Sequence, residues 1–173
     1  MGDKHLVLIG LMGAGKTTVG RQCARQLHRD FVDTDDVVAA LAGIPVEDIF
    51  HTRGEPSFRD LEREAVADVC ASPAPLVIAC GGGTVLDPEN RRKLRAAGVI
   101  VWLRAPVPVL AARVGDGVRR PLLAGDPTGA LTRLEKLREP VYDAAAHRAV
   151  DTEDADVRGV ADAVIGAYEE AGA

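Results

Sequence analysis

Short apolar runs alternate with longer amphipathic segments along the chain. The runs predict β-strands buried on both faces, as in a parallel sheet, because their residues are apolar at consecutive rather than alternate positions. The predicted strands are residues 5–9, 31–33, 76–80, 99–103 and 148–151. Between them, the spacing predicts helices over 55–71 and 155–170, each with one buried stripe. The stripes consist of Phe58, Leu61, Ala65, Val66 and Val69 in the first helix, and of Val157, Val160, Ala161, Val164, Ile165 and Tyr168 in the second.

This alternation predicts an α/β fold, with helices on both faces of the sheet and ligands at the carboxyl ends of its strands. The chain has 173 residues, without an internal repeat or linker, so we expect a single domain over residues 1–173. Segment 115–127 fits neither period and is rich in glycine, proline and arginine. We therefore expect an exposed loop there.

Charge and cysteine content narrow the class of protein. The formal net charge of -5 argues against a general binder of nucleic acid or of membrane surfaces. No apolar run approaches the ~20 residues that a membrane-spanning helix needs. The cysteines, Cys23, Cys70 and Cys80, are far apart and lack the spacing of a zinc site. A reducing, cytoplasmic location is expected.

The first glycine loop, "GLMGAGKT" at residues 10–17, matches G-x-x-x-x-G-K-[ST] between a predicted strand and a predicted helix. Its backbone N–H groups and the helix N-terminus suit phosphates, which Lys16 also reaches, and the hydroxyl of Thr17 can bind Mg²⁺. A chance glycine-rich turn would not require lysine and threonine in register. The predicted nucleotide-binding residues of this loop are Gly13, Ala14, Gly15, Lys16, Thr17 and Thr18.

The acid on the metal side is expected in "FVDTDD", because the apolar strand 76–80 ends in glycine rather than aspartate. Asp33 and Asp35 are two residues apart at a strand end and should point to the same face. One would serve Mg²⁺ through water while the other orients an acceptor hydroxyl. The alternative is that Asp35 or Asp36 caps a helix that starts near residue 37.

Three arginines suggest an anionic second substrate, because guanidinium groups bind carboxylates bidentately. Arg59 lies three residues before Glu62, and the alternative for this pair is a surface ion pair. Arg120 lies in the irregular segment and could close over the transferred phosphate or remain solvated. Arg138 precedes Pro140, which should end or kink its helix.

The second glycine loop, residues 81–83, follows an apolar strand directly. It could be a plain strand-to-helix turn, with Thr84 or Asp87 as the cap and Pro88 at the first helical position. A turn does not ordinarily need three glycines. We therefore favour close approach of a ligand to bare backbone, with an N–H near Gly82 donating to the substrate. The absence of a carboxylate there suits an anionic acceptor.

The motifs "GLMGAGKTTVG", "DTD", "FRDLE", "CGGG", "RRPLL" and "REPVY", in this order and spacing, resemble the shikimate kinase family up to about Asp151. The resemblance implies a three-layer P-loop kinase fold with five parallel strands. It also implies substrate-binding helices over about 34–71, a lid over about 115–127 and a monomer. The reaction would transfer the γ-phosphoryl group of ATP, with Mg²⁺, to the 3-hydroxyl of shikimate in aromatic amino-acid biosynthesis.

On the donor side, the resemblance implies that Lys16 binds phosphate and that Thr17 and Asp33 serve Mg²⁺, Asp33 through water. Arg113 would stack on adenine, and Arg120 would bind the ATP phosphates from the lid. The acidic "EDADV" segment at 153–157 departs from the basic residues or proline expected beside adenine.

On the acceptor side, the resemblance implies that Asp35 holds the hydroxyls and takes the proton. The other implied acceptor residues are Arg59 and Arg138 for the carboxylate, Glu62 to orient Arg59, Gly81, Gly82 and Gly83 for main-chain contact, and Phe50 and Phe58 as walls. Asp35 is expected to keep an ordinary pKa near ~4, so alignment of the hydroxyl should matter more than basicity.

Two other functions remain open at this stage. One is a small P-loop kinase that acts on gluconate or a nucleotide, although no segment for base recognition is identified. The other is a non-catalytic regulator that binds ATP, although every expected catalytic position is filled.

Overall fold

The computed structural model describes residues 4–115 and 125–172, and within them the strands form one parallel sheet in the order β2-β3-β1-β4-β5. The strands are β1 (His5–Ile9), β2 (Phe31–Asp33), β3 (Val77–Ala79), β4 (Gly98–Arg104) and β5 (Arg148–Asp151). The predicted α/β class and the five strands are confirmed. β1 and β3 are fully buried because they lie inside the sheet, as their uninterrupted apolar sequences require.

Helices flank this sheet. In the described ranges they are α1 (Lys16–Leu27), α2 (Thr34–Ala42), α3 (Val46–Cys70), α4 (Pro88–Ala97), α5 (Val107–Val114), α6 (Pro127–Ala145) and α7 (Val157–Gly172). α1 packs against α7, while α4 and α6 contact β4. Within α7, Val157 was expected in the buried stripe but lies in the first turn, where it is exposed.

Helix α3 bends at Gly54, whose φ of 77° and ψ of 170° are not helical. The predicted helix over 55–71 corresponds to the arm after this bend, which has Pro56 in its first turn. Both arms and α2 share a small apolar cluster apart from the main core. Its buried members are Val38, Ile49, Phe58 and Ala65.

The sequence predicted that Pro140 would end or kink its helix, and of these two outcomes the end is excluded, because α6 continues to Ala145. Proline removes a backbone donor, but α6 buries Leu131, Arg138 and Tyr142 along its length, and this tertiary packing keeps the helix continuous. The end of predicted segment 115–127 is also helical, because Asp126 caps α6 by accepting from the backbone N–H of Gly129. Residues 116–124, including Arg120, lie outside the described residues.

The helix after Asp87 begins as the sequence indicated. Asp87 caps α4 by accepting from the backbone N–H of Glu89, and Pro88 occupies the first turn. Arg63 on α3 also donates to Asp87 at 2.6 Å and so connects the two helices.

The cysteines are thiols, and Cys23 and Cys80 are buried. No helix in the described part of the chain has the length and apolarity to cross a lipid bilayer.

Candidate active site

The first glycine loop connects β1 to α1 in a conformation that requires glycine. Gly10, Gly13 and Gly15 have φ values of 146°, 83° and 92°. A Cβ at Gly13 would lie 2.9 Å from the carbonyl oxygen of Leu110. Gly15 caps α1 without a side-chain hydrogen bond, so the N-terminal N–H groups of α1 are suited to an anion.

Lys16 and Thr17 follow this loop. The Nζ of Lys16 donates to the carbonyl oxygens of Gly10 at 2.8 Å and Leu11 at 3.0 Å, which holds the ammonium group against the loop. The hydroxyl of Thr17 donates to Oδ2 of Asp33 at 2.8 Å. A cation and an adjacent hydroxyl–carboxylate pair therefore lie beside the anion site.

Asp33 ends β2 and caps α2. Its Oδ1 accepts from the backbone N–H of Asp35 at 3.1 Å, while its other oxygen contacts Thr17. The alternative that Asp35 or Asp36 caps the helix is therefore wrong. Asp35 lies in the first turn of α2 rather than on the strand, because Asp33 already starts the helix. Both carboxylates still line the same cavity.

Asp35 does not keep an ordinary pKa, and that prediction is wrong. Burial raises the pKa of its carboxyl to about 6, and the carboxylates of Asp33 and Glu62 add to the rise, which Lys16 partly offsets. The sequence could not reveal this shift because Glu62 and Lys16 lie near Asp35 only in the folded chain. A carboxyl with this pKa suits proton transfer near neutral pH better than an ordinary aspartate does.

Arg59 and Glu62 form an ion pair at 2.9 Å, but the alternative of a surface pair is wrong, since the Glu62 side chain is only 2% exposed. The second oxygen of Glu62 accepts from the hydroxyl of Thr84 at 2.7 Å. Arg59 also donates to the exposed carboxylate of Glu55 at 3.2 Å. Glu62 is thereby fixed on two sides and orients the guanidinium of Arg59.

The second glycine loop has no left-handed residue, so backbone conformation does not explain its glycines. The explanation is close approach of side chains. A Cβ at Gly81 would lie 2.7 Å from Oδ1 of Asp35. At Gly82 it would lie 2.8 Å from Nη1 of Arg138, and at Gly83 it would lie 2.8 Å from Nη1 of Arg59. Each glycine makes room for one charged group of the site.

Arg138 reaches this loop from α6 and is 6% exposed. Three polar residues hold the loop, namely Thr34, Thr84 and Tyr142, and the sequence analysis named only Thr84, as a possible helix cap. Two of them have a sequence signal in hindsight. Thr84 directly follows the glycines, and Tyr142 lies four residues after Arg138, on the same helix face.

Phe50 and Phe58 form an aromatic wall on the α3 side of the cavity, with ring centroids 4.5 Å apart. Phe58 is buried, whereas Phe50 is 38% exposed at the rim. The guanidinium of Arg59 lies 5.2 Å from the centroid of the Phe58 ring. The wall therefore gives the cavity an apolar side next to a cationic group.

At the opposite end, Arg113 lies between the first glycine loop and the segment after β5. It donates to the carbonyl oxygen of Gly13 at 3.4 Å and to both the hydroxyl and the carbonyl oxygen of Thr152. Ala155 and Val157, from the acidic segment, line the cavity here. Despite the acidic sequence, this end therefore offers small apolar side chains to a ligand.

A cavity of about 760 Å³ joins the two ends. The two glycine loops are neighbours because β1 and β3 pair directly in the sheet. All predicted site residues except Arg120, which lies outside the described residues, line this cavity: Gly13, Ala14, Gly15, Lys16, Thr17, Thr18, Asp33, Asp35, Phe50, Phe58, Arg59, Glu62, Gly81, Gly82, Gly83, Arg113 and Arg138. Their individual roles stay predictions.

A phosphate loop joined to a pocket that holds the Asp35 carboxyl and two arginines defines a small P-loop kinase with an anionic acceptor. The family model for shikimate kinase matches residues 12–169. A shikimate kinase from Symbiobacterium thermophilum is 46% identical over 171 residues, which are 97% of this chain and 98% of the relative. The structure of shikimate kinase from Acinetobacter baumannii in complex with shikimate superposes with a TM-score of 0.89 and 35% identity, covering 94% of this chain and 90% of that one.

The chain belongs to the shikimate kinase family. It is an ATP-dependent enzyme that phosphorylates shikimate in aromatic amino-acid biosynthesis, as the sequence resemblance implied. A gluconokinase from Sinorhizobium meliloti also superposes, covering 97% of this chain and 93% of that one, with a TM-score of 0.63 and 23% identity, which shows a shared fold alone. The alternatives of a non-catalytic regulator that binds ATP and of a kinase that acts on gluconate have no comparable support.

Proposed function

We propose that ATP binds along the first glycine loop and that shikimate binds over the second, with its 3-hydroxyl between Asp35 and the γ-phosphate. One observation carries this assignment: a continuous cavity leads from Lys16 to the half-buried carboxyl of Asp35. Phosphoryl transfer requires donor and acceptor oxygens in line, and the direct pairing of β1 with β3 brings the two loops close enough.

The acceptor carboxylate is assigned to Arg59 and Arg138. Their guanidinium groups approach the second glycine loop at Gly83 and Gly82 respectively, so both face the same stretch of backbone. Glu62 accepts from Arg59 through one carboxylate oxygen only, because its other oxygen accepts from the hydroxyl of Thr84. A carboxylate between the two arginines would find donors from two directions.

Asp35 is assigned to the acceptor hydroxyl. In the reaction, the hydroxyl oxygen forms a bond to the γ-phosphorus while the bond to the bridging oxygen of ADP breaks. The hydroxyl proton passes to Asp35, whose pKa of about 6 makes it a competent acceptor. Lys16 leaves the carbonyl oxygens of Gly10 and Leu11 to contact the phosphates. We retain the assignments of Arg113 to adenine and Arg120 to the ATP phosphates.

Mg²⁺ is assigned to Thr17 directly and to Asp33 through water. Bound there, the ion would neutralise phosphate charge during transfer. The described residues contain no cluster of three metal-binding side chains, which fits a Mg²⁺ held mainly by phosphates and water. The 2.8 Å contact between Thr17 and Asp33 brings the required oxygens together.

Asp33→Asn should raise the Mg²⁺ concentration for half-maximal activity by roughly 10- to 100-fold, because an outer-shell carboxylate is lost. Asparagine is as good a helix cap as aspartate, so α2 should remain intact. Titration of activity with Mg²⁺ at saturating ATP measures the effect. Asp36→Asn, at an exposed position of the same helix, is the matched control. An unchanged Mg²⁺ requirement in the Asp33 variant would contradict the assignment of Asp33 to the metal site.

A coupled assay of ADP release tests the acceptor assignment. We expect turnover with shikimate and background rates with gluconate and nucleoside monophosphates, because only shikimate combines a ring, vicinal hydroxyls and a carboxylate at the required spacing. Comparable turnover with gluconate would show that the arginine pair recognises any small carboxylate.

We also propose that the enzyme acts as a cytoplasmic monomer. Sedimentation equilibrium of the purified chain, which measures the molar mass in solution, would test the oligomeric state.

A further inference from the structure

The second glycine loop lacks side chains that could fix it from within. Three successive glycines have more backbone freedom than any other tripeptide, so the loop depends on hydrogen bonds from outside. At its start, the N–H of Gly81 donates to the hydroxyl of Thr34 at 3.0 Å. At its end, the hydroxyl of Thr84 donates to Glu62 at 2.7 Å. These two contacts fix the ends of the loop but do not hold its middle peptide.

Tyr142 holds that middle peptide. Its hydroxyl donates to the carbonyl oxygen of Gly82 at 2.6 Å. The side chain is well placed to fix a position, because Tyr142 is only 1% exposed and its ring packs against Trp102 at a centroid distance of 5.8 Å. A buried aromatic ring has few alternative rotamers, so its hydroxyl is a rigid donor.

Tyr142 also connects the loop to a substrate-binding side chain. It lies one turn after Arg138 on α6, and the position of a Gly82 Cβ would be 2.8 Å from Nη1 of Arg138 and 3.8 Å from the Tyr142 hydroxyl. Burial raises the pKa of the Tyr142 phenol, although the positive charge of Arg138 partly lowers it. The phenol therefore stays protonated at neutral pH and remains a donor.

We propose that Tyr142 is a positioning residue for acceptor binding, which sets the distance between the Gly82 peptide and the Arg138 guanidinium. It acts through these two groups and does not touch the substrate itself. The proposal rests on the assignment of Gly82 and Arg138 to the shikimate site. It adds to that assignment a residue that makes α6 and the second glycine loop one recognition unit.

Tyr142→Phe tests the proposal, with Tyr168→Phe as the matched control. Tyr168 is also buried, at 4% exposure, and its hydroxyl also donates to a backbone carbonyl, that of Lys4 at 2.8 Å. Lys4 precedes β1, at the end of the sheet opposite the cavity. We expect Tyr142→Phe to raise the dissociation constant of shikimate roughly three- to tenfold, measured by calorimetry. The KM for ATP should stay unchanged.

The two variants separate positioning from stability. Both should lower the midpoint of thermal unfolding, since each loses a partly buried hydrogen bond to a backbone carbonyl, and Tyr168→Phe also loses the hydrogen bond from Arg29. Only Tyr142→Phe should weaken shikimate binding. Unchanged shikimate binding in Tyr142→Phe, or equal weakening in both variants, would overturn the proposal.

A third variant, Arg138→Lys, distinguishes a failure of the positioning role of Tyr142 from a failure of the assignment of Arg138 to the shikimate site. Lysine retains the charge but loses the bidentate geometry, so shikimate binding should weaken. If it does not, the assignment of Arg138 is wrong and the role of Tyr142 falls with it. If Arg138→Lys weakens binding while Tyr142→Phe does not, the site stands and only the positioning role is rejected.

Discussion

Asp35→Asn should lower kcat by about 10²- to 10⁴-fold while ATP binding persists. The amide cannot accept the hydroxyl proton, and loss of a positioned general base costs about this much. The same carboxyl should shape the pH dependence of the unmodified enzyme. Because burial raises the pKa of Asp35 to about 6, kcat/KM for shikimate should fall as the pH drops through that value. Steady-state kinetics between pH 5 and 8 measure both effects.

The variant should also be more stable than the unmodified enzyme at high pH. The pKa of Asp35 is raised from 3.8 to about 6 on folding, so its contribution to stability is fully present below pH 3.8 and is lost as the pH rises through 6. At pH 8 the buried charge therefore costs up to about 3 kcal/mol in the ligand-free enzyme. Asparagine removes this cost. Thermal unfolding at pH 8 should show a higher midpoint for the variant, with the difference narrowing toward pH 4.

Asp36→Asn is the control, since it changes an exposed aspartate on the same turn of α2. It should leave kcat and the unfolding midpoint close to those of the unmodified enzyme. Near-normal turnover of Asp35→Asn would refute the catalytic role. A midpoint at pH 8 that Asp35→Asn leaves unchanged would show that burial of its charge is not costly.

Alanine substitutions in the second glycine loop should separate the two acceptor functions. Gly81→Ala places a methyl group 2.7 Å from the Asp35 carboxylate and should mainly lower kcat. Gly82→Ala places it 2.8 Å from Arg138 and should mainly raise the KM for shikimate. Displacement of a reacting or positioning group by about 1 Å can cost on the order of 10²-fold. Steady-state kinetics with shikimate and ATP varied separately measure the split.

Folding should be little affected by these substitutions, because both glycines have ordinary φ values and the contacted atoms are the ends of side chains that can move. Gly166→Ala is the control. It lies inside α7 with nothing within 4 Å of its Cβ position, so alanine should leave activity unchanged and favour the helix. Full activity of both loop variants would show that the glycines are not required by the adjacent side chains.

Much of the fold follows from local pattern. The strands were predictable because a parallel sheet covered on both faces demands uninterrupted apolar runs, such as β1 and β3. The first glycine loop was equally readable, since its phosphate-binding geometry depends on glycines, lysine and threonine at fixed spacing within one segment. The sequence left open whether Pro140 would end or kink its helix, and α6 does not end there because tertiary packing along it outweighs the loss of one local hydrogen bond.

The site was only partly predictable for the same reason. The sequence identified Asp35, Arg59 and Arg138 as chemistry-bearing residues, and the cavity brings them together. It did not identify Thr34 or Tyr142, and it named Thr84 only as a possible helix cap, because only the folded chain shows which distant peptide a hydroxyl contacts.

The sequence by itself determined the sheet, the first glycine loop and the family to which the chain belongs, since each depends on residue patterns within short segments of the chain. The tertiary structure decided the pKa of Asp35, the burial of Glu62 and the reason for three glycines in the second loop. These properties depend on the distances between groups far apart in the chain. Gly81, Gly82 and Gly83 are needed where Asp35, Arg138 and Arg59 converge, and only folding brings those charges within 3 Å of the loop's Cβ positions.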